Sequence, residues 1–253
     1  MSSANSVNSI HILFENEHWV VVDKPAGYLT VPGHPLGGGR IDSRPCLGIQ
    51  LSEQLNVRLW PVHRLDLEVS GIVLFAKDSE SHRVACKWFE EHLVAKTYEA
   101  LTAVQPHVTE GQAIEIPRGE QRWILQLAKG KKRAFESAQG KEAITIAECR
   151  GAEPALHWGL KSALRWHLQP LTGRSHQLRV SLFKFWGPIV GDFLYGWPEG
   201  ESTQAMAVKP TAQMALRAVT LDFTKIAPDA RGGLPVVLMN SIISHSFCLT
   251  GAG

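Results

Sequence analysis

PVHRLDLEVSGIVLFAK, residues 61–77, is the stretch that decides how this chain folds. The apolar run Ile72-Val73-Leu74-Phe75-Ala76 sits between Ser70-Gly71 and Lys77-Asp78, which predicts a buried strand. Immediately before it, His63-Arg64-Leu65 leads into a polar turn at Asp66. A carboxylate on a loop beside a rigid strand is a common way to present a catalytic group. An arginine two positions earlier can steady that charge or meet a phosphate. Taken alone, the same pattern describes an ordinary aspartate turn.

Working outward, Ile10–Phe14 and Trp19–Asp23 read as a strand pair around Glu15-Asn16-Glu17, and Pro25 in Lys24-Pro25-Ala26-Gly27 stops the second strand. The glycine-rich segment 34–40 reads as a loop and lacks the G-K-[ST] ending of a phosphate loop. Leu47, Leu51 and Leu55 recur at helical spacing. Asp78 or Ser79 can cap a helix running to about Leu93, with Val84, Ala85, Trp88 and Phe89 as its apolar stripe. A strand is expected over Lys96–Val104, with Tyr98, Ala100 and Thr102 on one face. Residues 105–140 read as irregular and polar, and carry the basic run Lys129-Gly130-Lys131-Lys132-Arg133. Strands follow over Ala143–Cys149 and Leu164–Leu171, then a helix over Ser175–Lys184 with Leu178, Leu182 and Phe185 inward, then a strand over Arg217–Phe223. Strands in runs without strict βαβ alternation predict an α+β fold. The expected architecture is one domain over 10–253, after a tail over 1–9, with a mixed, largely antiparallel sheet flanked by helices and loops.

The 253 residues suffice for a substantial core, and a net charge of +2 does not by itself mark a nucleic-acid binder. The start MSSANSVNS has neither the basic nor the apolar region of a signal peptide. With no apolar run long enough for a membrane helix, a cytoplasmic protein is expected. Cys46, Cys86, Cys149 and Cys248 share no C-x-x-C spacing and read as small buried side chains, so neither zinc site nor disulfide framework is expected.

Two further segments carry polar chemistry: Lys96-Thr97-Tyr98-Glu99-Ala100, and Leu171-Thr172-Gly173-Arg174-Ser175-His176-Gln177-Leu178-Arg179-Val180. In the latter, Arg174 falls at a strand-to-helix turn. Together with His63-Arg64-Leu65-Asp66, Ser70-Gly71, Asp23-Lys24-Pro25-Ala26-Gly27, Pro188-Ile189-Val190-Gly191-Asp192 and Leu194-Tyr195-Gly196, they resemble the RluA-type RNA pseudouridine synthases, in the expected order from about Ile10 to Phe223. The resemblance is to a small member without an S4-type RNA-binding domain.

That resemblance implies a reaction in which a uridine is detached from its ribose, turned, and rejoined through carbon 5. Asp66 matches the nucleophile and Arg174 the arginine that pairs with it. Tyr98 matches the tyrosine that stacks on the base and takes part in removing the carbon 5 proton. Leu178 matches an apolar pocket residue, and Arg64 the arginine that enters the space the flipped base leaves. No metal and no organic cofactor is implied. The implied partner is structured RNA, transfer or ribosomal, and a monomer is expected. Val69 stands where the family usually has Thr, Ser181 where His is common, and Trp186-Gly187 replaces Gly-His before Pro188-Ile189. Two other classes are weighed: an RNA-binding or RNA-remodelling protein on the same fold without chemistry, and an unrelated hydrolase using His63 and His176. The absence of G-x-S-x-G and H-E-x-x-H counts against the hydrolase.

Overall fold

A computed structural model describes residues 9–33, 43–103, 116–158, 160–196 and 213–240, with the side chain of His157 excepted. The glycine-rich loop at 34–40, Cys248 and most of the N-terminal tail lie outside these residues. The described residues gather into two compact units: those within 1–93 and 223–236, and those within 94–222 and 237–253.

In the first unit β1 (Ile12–Glu15) and β2 (Trp19–Lys24) form the expected hairpin. Asn16 closes its turn, its side-chain oxygen accepting from the backbone N–H of both His18 and Trp19. Helix α1 (Leu47–Leu55) buries Leu47 and Leu51 and ends on Asn56 in the left-handed conformation. The short β3 (Trp60–Pro61) and then β4 (Ser70–Ala76) follow, β4 pairing antiparallel with both β2 and β3. Val20, Val21 and Val22 on β2, and Ile72, Val73, Leu74 and Phe75 on β4, are all fully buried, so these strands are covered on both faces. That is why β4 reads as an unbroken apolar run rather than an alternating one. Helix α2 (Ser79–Glu90) starts at Asp78, whose carboxylate accepts from the Ser81 N–H at 2.8 Å. Its Trp88 packs against Trp19 and Phe223.

The second unit is an antiparallel sheet in the order β10-β5-β9-β8-β6-β7, with a further strand, β11, on β10. The strands are β5 (Ala95–Ala103), β6 (Glu120–Lys129), β7 (Ala134–Glu136), β8 (Lys141–Ala155), β9 (Leu160–Pro170), β10 (Leu216–Asp222) and β11 (Val237–Met239). With a parallel bridge between Leu29 and Cys46 in the first unit, the α+β, largely antiparallel character is as expected. Helix α3 (Gln177–Phe185) lies on this sheet through an aromatic cluster. Trp123 stacks on Phe185 and tilts against Trp166, and Trp166 meets Trp186 at 5.3 Å. Trp186, a departure from the family pattern, therefore serves packing. Trp186 is half-buried, whereas Val69 and Ser181, the other two departures, are buried.

Three expectations need correction. Residues 120–136 are not irregular, since β6 and β7 run through them. Trp123, Leu125 and Leu127 are buried between exposed Arg122, Ile124 and Gln126, a period-two alternation visible in the sequence. Phe185 stays 43 % exposed despite its stacking, so it closes the rim of the cluster rather than its interior. Cys46, Cys86 and Cys149 are free thiols, but half-buried rather than buried. Among the described residues no helix is long and apolar enough to cross a membrane.

Asp78 fixes the start of α2, and the Ser81 hydrogen bonds hold its carboxyl below the usual range. Asp78→Ala should cost about 1 kcal/mol in urea denaturation at pH 7. Because the folded-state pKa is the lower one, that contribution is full above the unfolded pKa and fades as pH falls through the folded one. The gap between wild type and variant should therefore shrink in acid.

Candidate active site

The first unit supplies a carboxylate turn clamped at two points. Between β3 and β4 the chain makes a loop in which Leu65 is buried, Asp66 half-buried and Arg64 exposed. On one side of Asp66, both backbone groups of Leu65 bond the buried hydroxyl of Thr30: its N–H donates to Oγ1, and its carbonyl accepts from that hydroxyl, each at 3.1 Å. On the other side, the Leu67 carbonyl accepts from the Gly27 N–H at 2.8 Å and from the Lys24 ammonium at 3.2 Å. The Val69 N–H donates back to the Asp66 carbonyl and closes the turn. His63 lies flat on Phe89, with centroids 4.6 Å apart, and its Nε2 accepts from the Leu74 N–H. It is held as a structural wedge against β4.

Lys24 has no exposed surface, and its ammonium also donates to the carbonyls of Pro25 and Tyr28. Burial pulls its pKa down to about 8, while the negative charges of Glu68 and Asp66 act in the opposite direction. A cation at the end of a buried strand is costly unless its protons are bonded. Here the turn Lys24-Pro25-Ala26-Gly27 wraps its own carbonyls around it, and Gly27 at φ +84° permits that wrapping. Sequence reading treated this turn only as a strand stop and a family match. The signal it offered was a lysine directly joined to the apolar run Val20-Val21-Val22 and followed by proline. Nothing in the sequence marked Thr30.

The second unit holds Tyr98, Arg174 and Leu178. Tyr98 is half-buried on β5, with Leu168 of β9 as its cross-strand partner. The neighbouring Glu99 is locked by Arg165 at 2.7 Å and His167 at 2.8 Å. Burial raises the Glu99 pKa, but the His167 hydrogen bond and the Arg165 charge outweigh it and hold the carboxyl below its usual range. The strand carrying Tyr98 is thus pinned across the sheet. Strand β9 ends at Pro170, four residues before Arg174. Gln177, itself buried, reaches back over the turn: its Oε1 accepts from the Arg174 N–H at 3.0 Å and from the Thr172 hydroxyl at 2.8 Å. Its Nε2 donates to the Ile144 carbonyl. The Arg174 Nε donates to the Glu142 carbonyl at 2.8 Å. His176 occupies the left-handed region at φ 51°, just before α3.

Behind the turn, the buried Arg179 makes a two-pronged ion pair with Asp192, both bonds at 2.7 Å, and its guanidinium lies over the Tyr195 ring. The Tyr195 hydroxyl, pushed to about 12 by burial, donates to the Ala134 carbonyl. Its one proton is spent there, so the His176 Nδ1 at 2.9 Å must be the donor to it. His176 is thereby given a structural part too. Leu178, 7 % exposed, starts the buried face of α3.

Arg64 and Asp66 thus share one clamped loop, Arg174 and Leu178 share one turn and helix, and Tyr98 stands on a strand hydrogen-bonded to the one that leads into that turn. Residues 18–184 match the RNA pseudouridylate synthase family, and the chain belongs to that family. It is of the RluA type, an isomerase acting on RNA. It is 30 % identical over 210 residues to the dual-specificity RNA pseudouridine synthase RluA of Pasteurella multocida, covering 82 % of this chain and 87 % of that protein. It is 32 % identical to the tRNA pseudouridine synthase C of Haemophilus ducreyi, covering 74 % of each. Among solved structures, human RNA pseudouridylate synthase domain containing 1 shares the fold at a TM-score of 0.69 and 22 % identity, covering 97 % of this chain and 89 % of that one.

The Lys24 clamp has a pH signature. With a folded-state pKa of about 8 against an ordinary 10.5, the unfolded chain binds more protons between those values, so stability should rise with pH across that window. The rise is on the order of 3 kcal/mol and is lost as pH falls from 10.5 to 8, below which this group adds no further pH dependence. In Lys24→Met this component should vanish from the difference between chemical denaturation series at pH 7.5 and 10.5. Separately, Thr30→Val, which strips both Leu65 bonds, should cost about 1–3 kcal/mol.

Proposed function

We propose that this protein isomerises specific uridines of transfer RNA, ribosomal RNA or both to pseudouridine, with Asp66 as the nucleophile. The observation that carries the reading is the clamped turn: Thr30 fixes the residue before Asp66, and Lys24 with Gly27 fixes the residue after it. A carboxylate so held cannot swing with its loop, which is what an attack on one atom of a bound nucleotide requires.

The bond between uracil N1 and ribose C1′ breaks, and one between C5 and C1′ forms. The C5 proton leaves and N1 gains a proton, so no electrons are exchanged with an outside reagent. Asp66 attacks either C1′ or uracil C6, and either adduct frees the base to turn. Arg174 pairs with the Asp66 carboxylate; the desolvation such a pair costs is repaid in function rather than stability. Tyr98 stacks on the base and assists departure of the C5 proton, and Leu178 bounds the pocket. The target must first leave its helix, at a cost of a few kcal/mol. Arg64 fills the vacated space, and stacking on Tyr98 returns roughly 1–3 kcal/mol.

The test is tritium release from transfer and ribosomal RNA labelled at uridine C5, prepared from cells lacking the gene. Wild type should release tritium from at least one pool, whereas Asp66→Ala and Asp66→Asn should fall by roughly 10⁴-fold or more with the fold retained. Arg174→Ala should lose about 10²–10³-fold. Release by Asp66→Ala at the wild-type rate would end the nucleophile assignment, and a fully active Tyr98→Phe would remove the proton role.

A further inference from the structure

One cleft of the second unit, about 390 Å³, lies beside the Arg174 turn, within the range of clefts that take small ligands. Its floor is apolar, formed by Leu127, Ala128 and Ala134, and its rim carries Lys129, Lys141 and Arg174. No carboxylate side chain is among its lining residues. Nearby Glu136 is engaged with Lys184 at 2.8 Å, and Glu142 is represented at Arg174 by its carbonyl. Lys141 pairs in register with Leu127, which places Lys129 and Lys141 as diagonal neighbours on one face of the sheet. Side chains at that spacing interact, and like charges there repel unless an anion sits between them. The backbone is shaped around this cleft. A Cβ on Gly140 would lie 2.6 Å from the backbone of Gln126 and Leu127, so that turn can fold flat onto β6 only as glycine. A Cβ on Gly173 would meet nothing within 4 Å, so the space beside the residue before Arg174 is open.

We propose that this cleft is a subsite for a nucleotide flanking the target uridine. The sugar or base lies on the Leu127–Ala134 floor and a phosphodiester bridges Lys129 and Lys141. The inference rests on the reading of Arg174 given above, which sets the reacting nucleotide at one end of the cleft. An apolar floor with a cationic rim suits a nucleotide better than it suits a purely anionic or purely apolar ligand. Phosphate contacts of this kind set register on the RNA and carry no sequence preference of their own.

The experiment compares Lys129→Gln/Lys141→Gln with Lys161→Gln/Lys225→Gln, a control that removes the same charge from exposed positions outside the cleft. Binding of bulk transfer RNA to each full-length protein is measured from low to physiological salt, with circular dichroism checking the fold. The cleft variant should flatten the slope of log affinity against log salt by about 1.4–1.8, the loss of two phosphate contacts, and the control by much less. Equal flattening in both would reduce the effect to net charge and overturn the subsite, as would an unchanged slope in the cleft variant. Tritium release by wild type is read on the same RNA. Its absence alongside the slope effect would sink the catalytic reading and not the cleft, whereas release without the slope effect would sink the cleft alone.

Discussion

The buried ammonium of Lys24 is the interaction on which the Asp66 turn depends. One nitrogen, removed from water, ties the end of β2 to Pro25 and Tyr28 in its own turn and to Leu67, the residue after Asp66. Burying a cation this deeply is opposed by solvation, and only the bonded carbonyls and the charges of Glu68 and Asp66 make it tolerable. A neutral isostere would pack as well but would leave those carbonyls without a donor. The Thr30 hydroxyl repeats the device from the other flank with a neutral group, serving both backbone atoms of Leu65. The loop is therefore irregular in shape yet as constrained as the strand it leads into.

The second unit solves the same problem differently. Its critical turn precedes a helix whose first residues are mostly polar and nonetheless buried: Gln177 and Arg179 are each 3 % exposed. Gln177 satisfies backbone and side-chain groups on both sides of the turn, and Arg179 is neutralised by Asp192 in a fork geometry. Removing one partner of such a pair strands a buried charge, so these residues act as a set. Of them, Gln177 holds the Arg174 main chain directly, while the aromatic cluster of Trp123, Trp166, Phe185 and Trp186 supplies the apolar adhesion of α3 to its sheet.

Much of this was legible in the residues. The unbroken apolar run of β4, the Asp78 cap, the leucine spacing of α1 and the hairpin before Lys24 follow from local rules, and the structure places each within a few residues of its expected bounds. Strands β6 and β7 were overlooked because the basic run and the polar exposed face of β6 mask the alternation of Trp123, Leu125 and Leu127. Of the site, Asp66, Tyr98 and Arg174 stood out through motif order, whereas Thr30, Gln177 and the structural engagement of His63 and His176 did not. A threonine or a histidine looks alike in sequence whether it meets water, a backbone or a substrate.

The sequence by itself determined the fold class, the order of the polar motifs and the family to which they belong, because periodicity and spacing are properties of neighbouring residues. Only the tertiary structure decided that Lys24 is a buried clamp and not a surface charge, that His63 packs on Phe89 and His176 bonds Tyr195, and that Lys129 and Lys141 share one cleft with Arg174. Burial and hydrogen-bond partnership are set by groups distant along the chain, such as Thr30 with Leu65, Lys24 with Leu67 and Gln177 with Ile144. Until the backbone has folded, nothing local distinguishes a solvated polar side chain from one that holds a site together.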